Sequence, residues 1–214
     1  DKFALKRADL VICANIQRAE IMRWFYGLES RPLVIDNIET FNVTHLPIKE
    51  KTRIKKKVVY QGNIDKERGI FKILHAIKNT VHKIEIDIYG NGPDVDELIN
   101  EIIPIIQKYV VIRYHGYISR KDIHQHLKEY DIGLISYPYV GLNNSFCASN
   151  KIYEYLINGL IVFSTDQPPL AEIVDYYDVG ETIGENYTME TILSKFEILC
   201  ENIDSKKKNI NNAL

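Results

Sequence analysis

From Lys57 onward, short runs of consecutive apolar residues alternate with longer stretches in which apolar residues recur every third or fourth position. The short runs read as strands: Val58 to Gln61, Ile84 to Tyr89, Val110 to Tyr114, Ile132 to Ser136, Leu160 to Ser164 and Val179 to Ile183. The stretches between them read as amphipathic helices. Ile70, Ile73, Leu74 and Ile77 share one face, and Val95, Leu98, Ile99 and Ile102 share another, after a Pro93 placed to open its helix. Ser119 starts a helix that carries Ile123, Leu127 and Tyr130. A further helix runs from about Asn150 to Asn158, with Ser149 as its N-cap and Gly159 as its C-cap. A short helix follows Pro168 and Pro169, and the last runs from about Thr188 to Asn202 with Ile192, Leu193, Phe196 and Leu199 inward. The lysine-rich tail from Lys206 to Lys208 is expected to fray. Apolar strands that alternate with amphipathic helices predict an α/β, Rossmann-like parallel sheet with helices on both faces.

The first 56 residues read differently. Leu10 to Cys13 forms a strand, Asn15 caps a helix that ends at Tyr26 and Gly27, and Pro32 to Ile35 forms a second strand. Residues 41–56 are polar, and Lys49, Lys51, Arg53, Lys55, Lys56 and Lys57 follow in close succession. No apolar face accompanies these charges, so the stretch reads as an interdomain linker. Contact with an acidic membrane surface is the alternative.

Composition narrows the function. The 214 residues carry a formal net charge of −2, which offers no field for nucleic acid. No apolar run is long enough to span a bilayer. The three cysteines, Cys13, Cys147 and Cys200, are odd in number and unpatterned, so a reducing cytoplasm is the expected setting.

Candidate chemistry gathers at the carboxyl ends of the strands, where parallel sheets bind ligands. Gly62, Gly90, Gly92 and Gly116 all fall there, and glycine lets backbone approach a ligand closely. The helix that follows Ser149 points its free first-turn N–H groups at whatever precedes it, an anion site by geometry, and Lys151 adds a mobile cation. Glu154, one turn on from Asn150, suits the paired hydroxyls of a ribose. Arg68 stands beside Gly69 at a helix start, where a guanidinium can fork onto phosphate oxygens. Other motifs carry less. Asp94-Val95-Asp96 lies inside a helix start, where acids favour the dipole. His124 and His126 point to different faces of a helix, and Gly90-Asn91-Gly92 lacks a third glycine.

Three runs together, YQGNIDKERG (60–69), SNKIYEYLINGL (149–160) and IVFSTDQPPLAEIVDYYDVG (161–180), resemble the nucleotide-sugar signature of GT-B fold glycosyltransferases of the group 1, or family 4, type. The resemblance covers roughly Val58 to Ile183. It implies a C-terminal donor-binding domain over residues 57–214, a linker over 41–56, and in residues 1–40 the tail of an acceptor-side domain, so that the chain is a fragment, inactive in sugar transfer by itself. It implies that Gly62, Asn63, Arg68, Ser149, Asn150 and Lys151 bind the diphosphate, Glu154 the ribose, and Tyr117 and Ile118 the base. The donor would be a UDP- or GDP-sugar and the acceptor a saccharide or lipid-linked saccharide. The reaction would be hexosyl or related transfer with retention, in polysaccharide biosynthesis, on the cytoplasmic side with peripheral membrane association. No cofactor, no obligatory metal and no catalytic base are implied. Two positions depart from the pattern: no second basic residue stands near Asn63, and Phe146 occupies the place of the acid eight residues before Glu154. A nucleotide-sugar epimerase of the same fold and a non-catalytic nucleotide-binding module remain as alternatives. Asn143 or Asn144, with backbone amides near Ser149, would replace the missing acid.

Overall fold

The structure, a computed structural model, describes residues 2–37 and 55–213. Residues 41–54 of the expected linker, with Lys49, Lys51 and Arg53, lie outside the described residues, and Lys56 already belongs to a strand. Lys55 pairs with Glu85 at 3.0 Å and Lys57 with Glu129 at 3.4 Å, so the end of that run belongs to the sheet edge.

In chain order the elements are β1 (Ile12–Cys13), α1 (Ile16–Tyr26), β2 (Leu33–Val34), β3 (Lys56–Asn63), α2 (Ile70–Ile77), β4 (Ile84–Asn91), β5 (Val111–Tyr114), α3 (Arg120–Leu127), β6 (Ile132–Ile135), α4 (Asn150–Ile157), β7 (Ile161–Thr165), α5 (Pro168–Tyr177), β8 (Gly180–Ile183), α6 (Met189–Glu201) and α7 (Ile203–Ala213). β1 and β2 form a small parallel pair. Strands β3 to β8 form a six-stranded, all-parallel sheet in the order β5-β4-β3-β6-β7-β8. This is the Rossmann-like arrangement that the alternating pattern predicts. At the N-terminal end, the Asn15 side chain accepts from the Arg18 amide to start α1, and Gly27 closes it in the left-handed conformation at φ 61°.

The strand order reverses between β3 and β6, and there the sheet opens. β3 pairs with β6 only over Val58–Tyr60, then continues beside β4 alone to Asn63. Tyr155 of α4 bridges the gap. Its hydroxyl accepts from the Gln61 amide at 3.3 Å and donates to the Leu134 carbonyl at 3.3 Å. Gly133 makes this possible, because a Cβ at that position would collide with the Tyr155 ring. The absence of a side chain on β6 thus lets α4 settle onto the switch point.

Two expectations are corrected. The helix after Pro93 begins at Val95, widens into a π-turn over Leu98–Ile102 and resumes over Ile103–Ile106. Pro104 cannot donate to the carbonyl one turn back, and the wider turn absorbs the missing bond. The inward face becomes Leu98, Ile102, Ile103 and Ile106, while Ile99 is 41% exposed.

The second correction is that the lysine-rich tail does not fray; it forms α7. Lys206 is buried, and its ammonium reaches Asp178 at 2.5 Å, the Gly180 carbonyl at 2.9 Å and Glu181 at 3.2 Å. Lys207 pairs with Asp131 at 2.8 Å. Ile203 and Ile210, on the same stripe, complete the contact. A lysine in the middle of a buried stripe hides the helix from a hydrophobic periodicity. Lys206→Ala is expected to lower the unfolding free energy by about 2 kcal/mol, because it leaves acids around an unfilled buried position. Urea denaturation measures this. An unchanged midpoint would mean that Ile203 and Ile210 hold the helix alone.

Candidate functional site

The crevice at the β3–β6 switch point collects most of the residues singled out from the sequence. The next-to-last residue of β3 is Gly62, whose φ of 154° and lack of a side chain leave room for a neighbour. That neighbour is Lys151, the second residue of α4: a Cβ on Gly62 would lie 3.2 Å from Lys151 Cε. The loop beyond β3 is held by Asp65, whose carboxylate accepts from the Glu67 amide and caps a single 3₁₀ turn, Lys66–Arg68. Gly69 closes this turn at φ 82° and opens α2. The Ser136 hydroxyl donates to the Arg68 carbonyl and ties the loop to the end of β6.

These restraints bring two cations together. The Arg68 guanidinium carbon stands 5.3 Å from the Tyr137 ring centroid, and the Lys151 ammonium 5.7 Å from the same ring. Arg68 Nε is buried without a hydrogen bond, and neither cation forms an ion pair among the described residues. Burial pushes the Lys151 ammonium below the ordinary lysine range, and the neighbouring Arg68 pushes it further. Two like charges beside one aromatic ring, without ion-pair partners among the described residues, are suited to an anion.

Ser149 takes the N-cap position through its backbone, although its side chain makes no capping bond. Its hydroxyl is buried, lies beside the Tyr137 phenol and forms no bond of ordinary geometry. Asn150 follows it as the first residue of α4. Asn63 is exposed at the end of β3, and its carbonyl accepts from the Tyr60 hydroxyl at 2.8 Å. Glu154 is buried on the sheet-facing side of α4, where Gln61 Nε2 donates to Glu154 Oε2 at 2.7 Å.

Tyr117 and Ile118 follow β5 on the same edge of the sheet. Tyr117 is 77% exposed, while Ile118 packs partly against the core. The carbonyl of Gly116 accepts from the Gly90 amide at 2.8 Å, and a Cβ on Gly90 would collide with Gly62. The ends of β3, β4 and β5 therefore form one continuous floor from the paired cations to Tyr117.

Asn143 and Asn144 both take part in contacts within the loop that precedes α4. The Asn143 side-chain oxygen accepts from Arg18 at 2.8 Å, and Asn144 donates to the Val140 carbonyl at 2.8 Å. Arg18 also holds the Phe146 carbonyl at 2.5 Å, and Asn15 holds that of Cys147 at 3.2 Å. The start of α1 thus fixes the loop that leads into α4. These contacts cross more than a hundred positions and left no local signal. Asp94 of the D-x-D run accepts from the Lys66 amide at 2.7 Å and serves the loop beside Arg68. A cavity of about 520 Å³ lies beside the start of α4, lined by Asn15, Asp36, Cys147, Ser149, Tyr153 and Glu172 among others.

The profile described as "Glycosyl transferases group 1" matches residues 45–214. Sequence comparison with curated proteins returns no match. Among solved structures, the pneumococcal O-GlcNAc transferase GtfA in complex with UDP and GlcNAc superposes with a TM-score of 0.67 at 17% identity, covering 99% of this chain and 42% of that one. TarM of S. aureus, as a point mutant in complex with UDP, fondaparinux and α-GlcNAc-glycerol, gives 0.69 at 15% identity, over 99% of this chain and 41% of its own. A glycosyltransferase of Rickettsia africae gives 0.71 at 13% identity, over 99% and 62%. The chain thus spans less than two thirds of the length of each of these three structures.

Proposed function

This chain belongs to the group 1 glycosyl transferases, and from that premise we propose that its switch-point crevice is the donor site of a glycosyltransferase that uses a UDP- or GDP-sugar. The observation that carries the reading is a pair of cations, Arg68 and Lys151, without ion-pair partners among the described residues, both near the Tyr137 ring, with Lys151 against Gly62. The UDP in the GtfA and TarM complexes favours uridine as the nucleoside. In this reading Gly62, Asn63, Arg68, Ser149, Asn150 and Lys151 surround the diphosphate. Glu154 takes the ribose, and Tyr117 and Ile118 the base.

Sugar transfer breaks the bond between the anomeric carbon and a phosphate oxygen, so negative charge grows on the leaving diphosphate. Fixed cations and the α4 N-terminus stabilise that charge more than they stabilise the intact donor, which lowers the barrier. This electrostatic role needs no obligatory metal. The acceptor is a saccharide or lipid-linked saccharide of a polysaccharide pathway, transfer proceeds with retention, and the setting is the cytoplasm or the inner membrane face. No helix among the described residues is long and apolar enough to cross a membrane. Catalysis draws on an acceptor-side domain across the crevice.

Calorimetric titration with UDP, GDP, ADP and uridine tests the reading. UDP should bind and uridine should bind at least about tenfold more weakly, since the diphosphate carries the charge-assisted contacts. Equal binding of UDP and uridine would move the anion site elsewhere.

A further inference from the structure

The contact between Gln61 and Glu154 joins residues far apart in sequence and lies beside the switch point, where β3 has left β6. Both are buried, Gln61 at 8% exposure and Glu154 at 5%. Gln61 is the last residue of β3 before Gly62, at the point where β3 has left β6. Its backbone amide is fixed by the Tyr155 hydroxyl at 3.3 Å, and its side-chain nitrogen donates to Glu154 Oε2 at 2.7 Å. An ionised carboxylate only accepts, so the glutamine must present its NH₂ group and not its oxygen. The next helical residue, Tyr155, is locked over Gly133, which prevents α4 from rotating away. One carboxylate oxygen of Glu154 is therefore held in a fixed direction by a residue of the opposite element.

We propose that Gln61 is a positioning and specificity residue of this site: it orients the Glu154 carboxylate toward the ribose and so makes the site prefer a nucleoside diphosphate bearing both ribose hydroxyls. The inference rests on the donor-site reading above. A carboxylate that can swing adapts to a sugar that lacks one hydroxyl, whereas a pinned one leaves the missing contact unfilled. Discrimination between ribose and deoxyribose thus comes from the pin as well as from the acid.

The experiment titrates the 214-residue chain and its variants with UDP, 2′-deoxy-UDP and 3′-deoxy-UDP. Wild type should bind UDP about tenfold more tightly than at least one deoxy analogue, the effect of one hydrogen bond to a charged group. Gln61→Met keeps the side-chain length and removes the amide. It should reduce that ratio to about twofold or less, chiefly by weakening UDP. Gln61→Asn withdraws the amide by one methylene and should act in the same direction, which keeps the test usable if the Met variant folds poorly. A thermal midpoint on each variant separates loss of fold from loss of discrimination. Three results overturn the proposal in distinguishable ways. Failure of wild type to bind UDP removes the donor site itself. Binding of UDP and both deoxy analogues with equal affinity leaves the donor site standing and removes ribose discrimination. A full ratio retained in both Gln61 variants, or an equal loss for all three ligands, leaves Gln61 with a structural role only.

Discussion

Lys151→Met should weaken UDP binding by about 50-fold and leave uridine binding within about twofold, as expected for loss of one charge-assisted contact to the diphosphate. The effect falls short of abolition because Arg68, near the same Tyr137 ring, supplies a second cation. Calorimetry on both ligands measures it. An equal loss for UDP and uridine would mean that Lys151 supports the crevice without touching phosphate, and no loss would place the anion elsewhere.

The same lysine carries a cost in the empty chain. Burial first, and the Arg68 guanidinium second, lower its pKa, while the Glu154 carboxylate pulls in the opposite direction. Between that lowered value and the ordinary 10.5, the unfolded chain holds a proton that the folded chain has released. Stability contributed by this group therefore rises as pH climbs through the window. Below it, the folded chain retains a poorly solvated ammonium beside another cation. Without ligand, Lys151→Met should accordingly be at least as stable as wild type at neutral pH, although it binds worse. Binding has the opposite slope. A diphosphate requires the charged ammonium, so UDP affinity should fall as pH rises through the lowered value.

Several of these features were open to inspection in the chain. The alternation of strands and helices, the Asn15 and Gly27 caps of α1 and the placement of glycines at strand ends all follow from local rules, because each depends on residues within a turn or two. Arg68 and Lys151 were legible for the same reason, each sitting beside a helix start. The rest depends on register between elements. Gln61 meets Glu154 only because β3 parts from β6 after Tyr60 and Tyr155 settles over Gly133. No period within β3 or α4 encodes that meeting. Ile99 left the core because a proline five residues later forced a wider turn, a change of phase that a fixed helical period misses. Lys206 reads as solvent-facing until Asp178 and Glu181 are brought beneath it. Polar partnerships across elements are thus the part of the site that the sequence conceals, and they decide how firmly its visible parts are held.

Another such partnership lies at the β4–β5 side of the sheet. Asp87 of β4, buried at 5% exposure, accepts from Arg113 Nε at 2.9 Å, His115 Nε2 at 2.7 Å and the Tyr130 hydroxyl at 3.1 Å. Burial by itself would raise its pKa, but the donors outweigh burial and hold the carboxyl below its ordinary 3.8. A depressed carboxyl contributes stability that is present above the unfolded value and is lost as pH falls through the folded one. Asp87→Ala should therefore cost about 3 kcal/mol at pH 7, since Tyr130, Arg113 and His115 lose a shared acceptor. Arg113 and His115 remain partly open to water, which keeps the figure below that of a sealed ion pair. The gap between wild type and Asp87→Asn should narrow as pH drops below 3.8, and acid titration of both by circular dichroism measures this. His115 stacks on Tyr89 at 4.7 Å and leads directly into Gly116, whose carbonyl holds the Gly90 amide. Loss of Asp87 should therefore speed hydrogen exchange at Gly90 more than at Ile132 in the central strand β6. Uniform acceleration across the sheet would instead show that Asp87 stabilises the fold as a whole and has no particular hold on the β4–β5 side that precedes Tyr117 and Ile118.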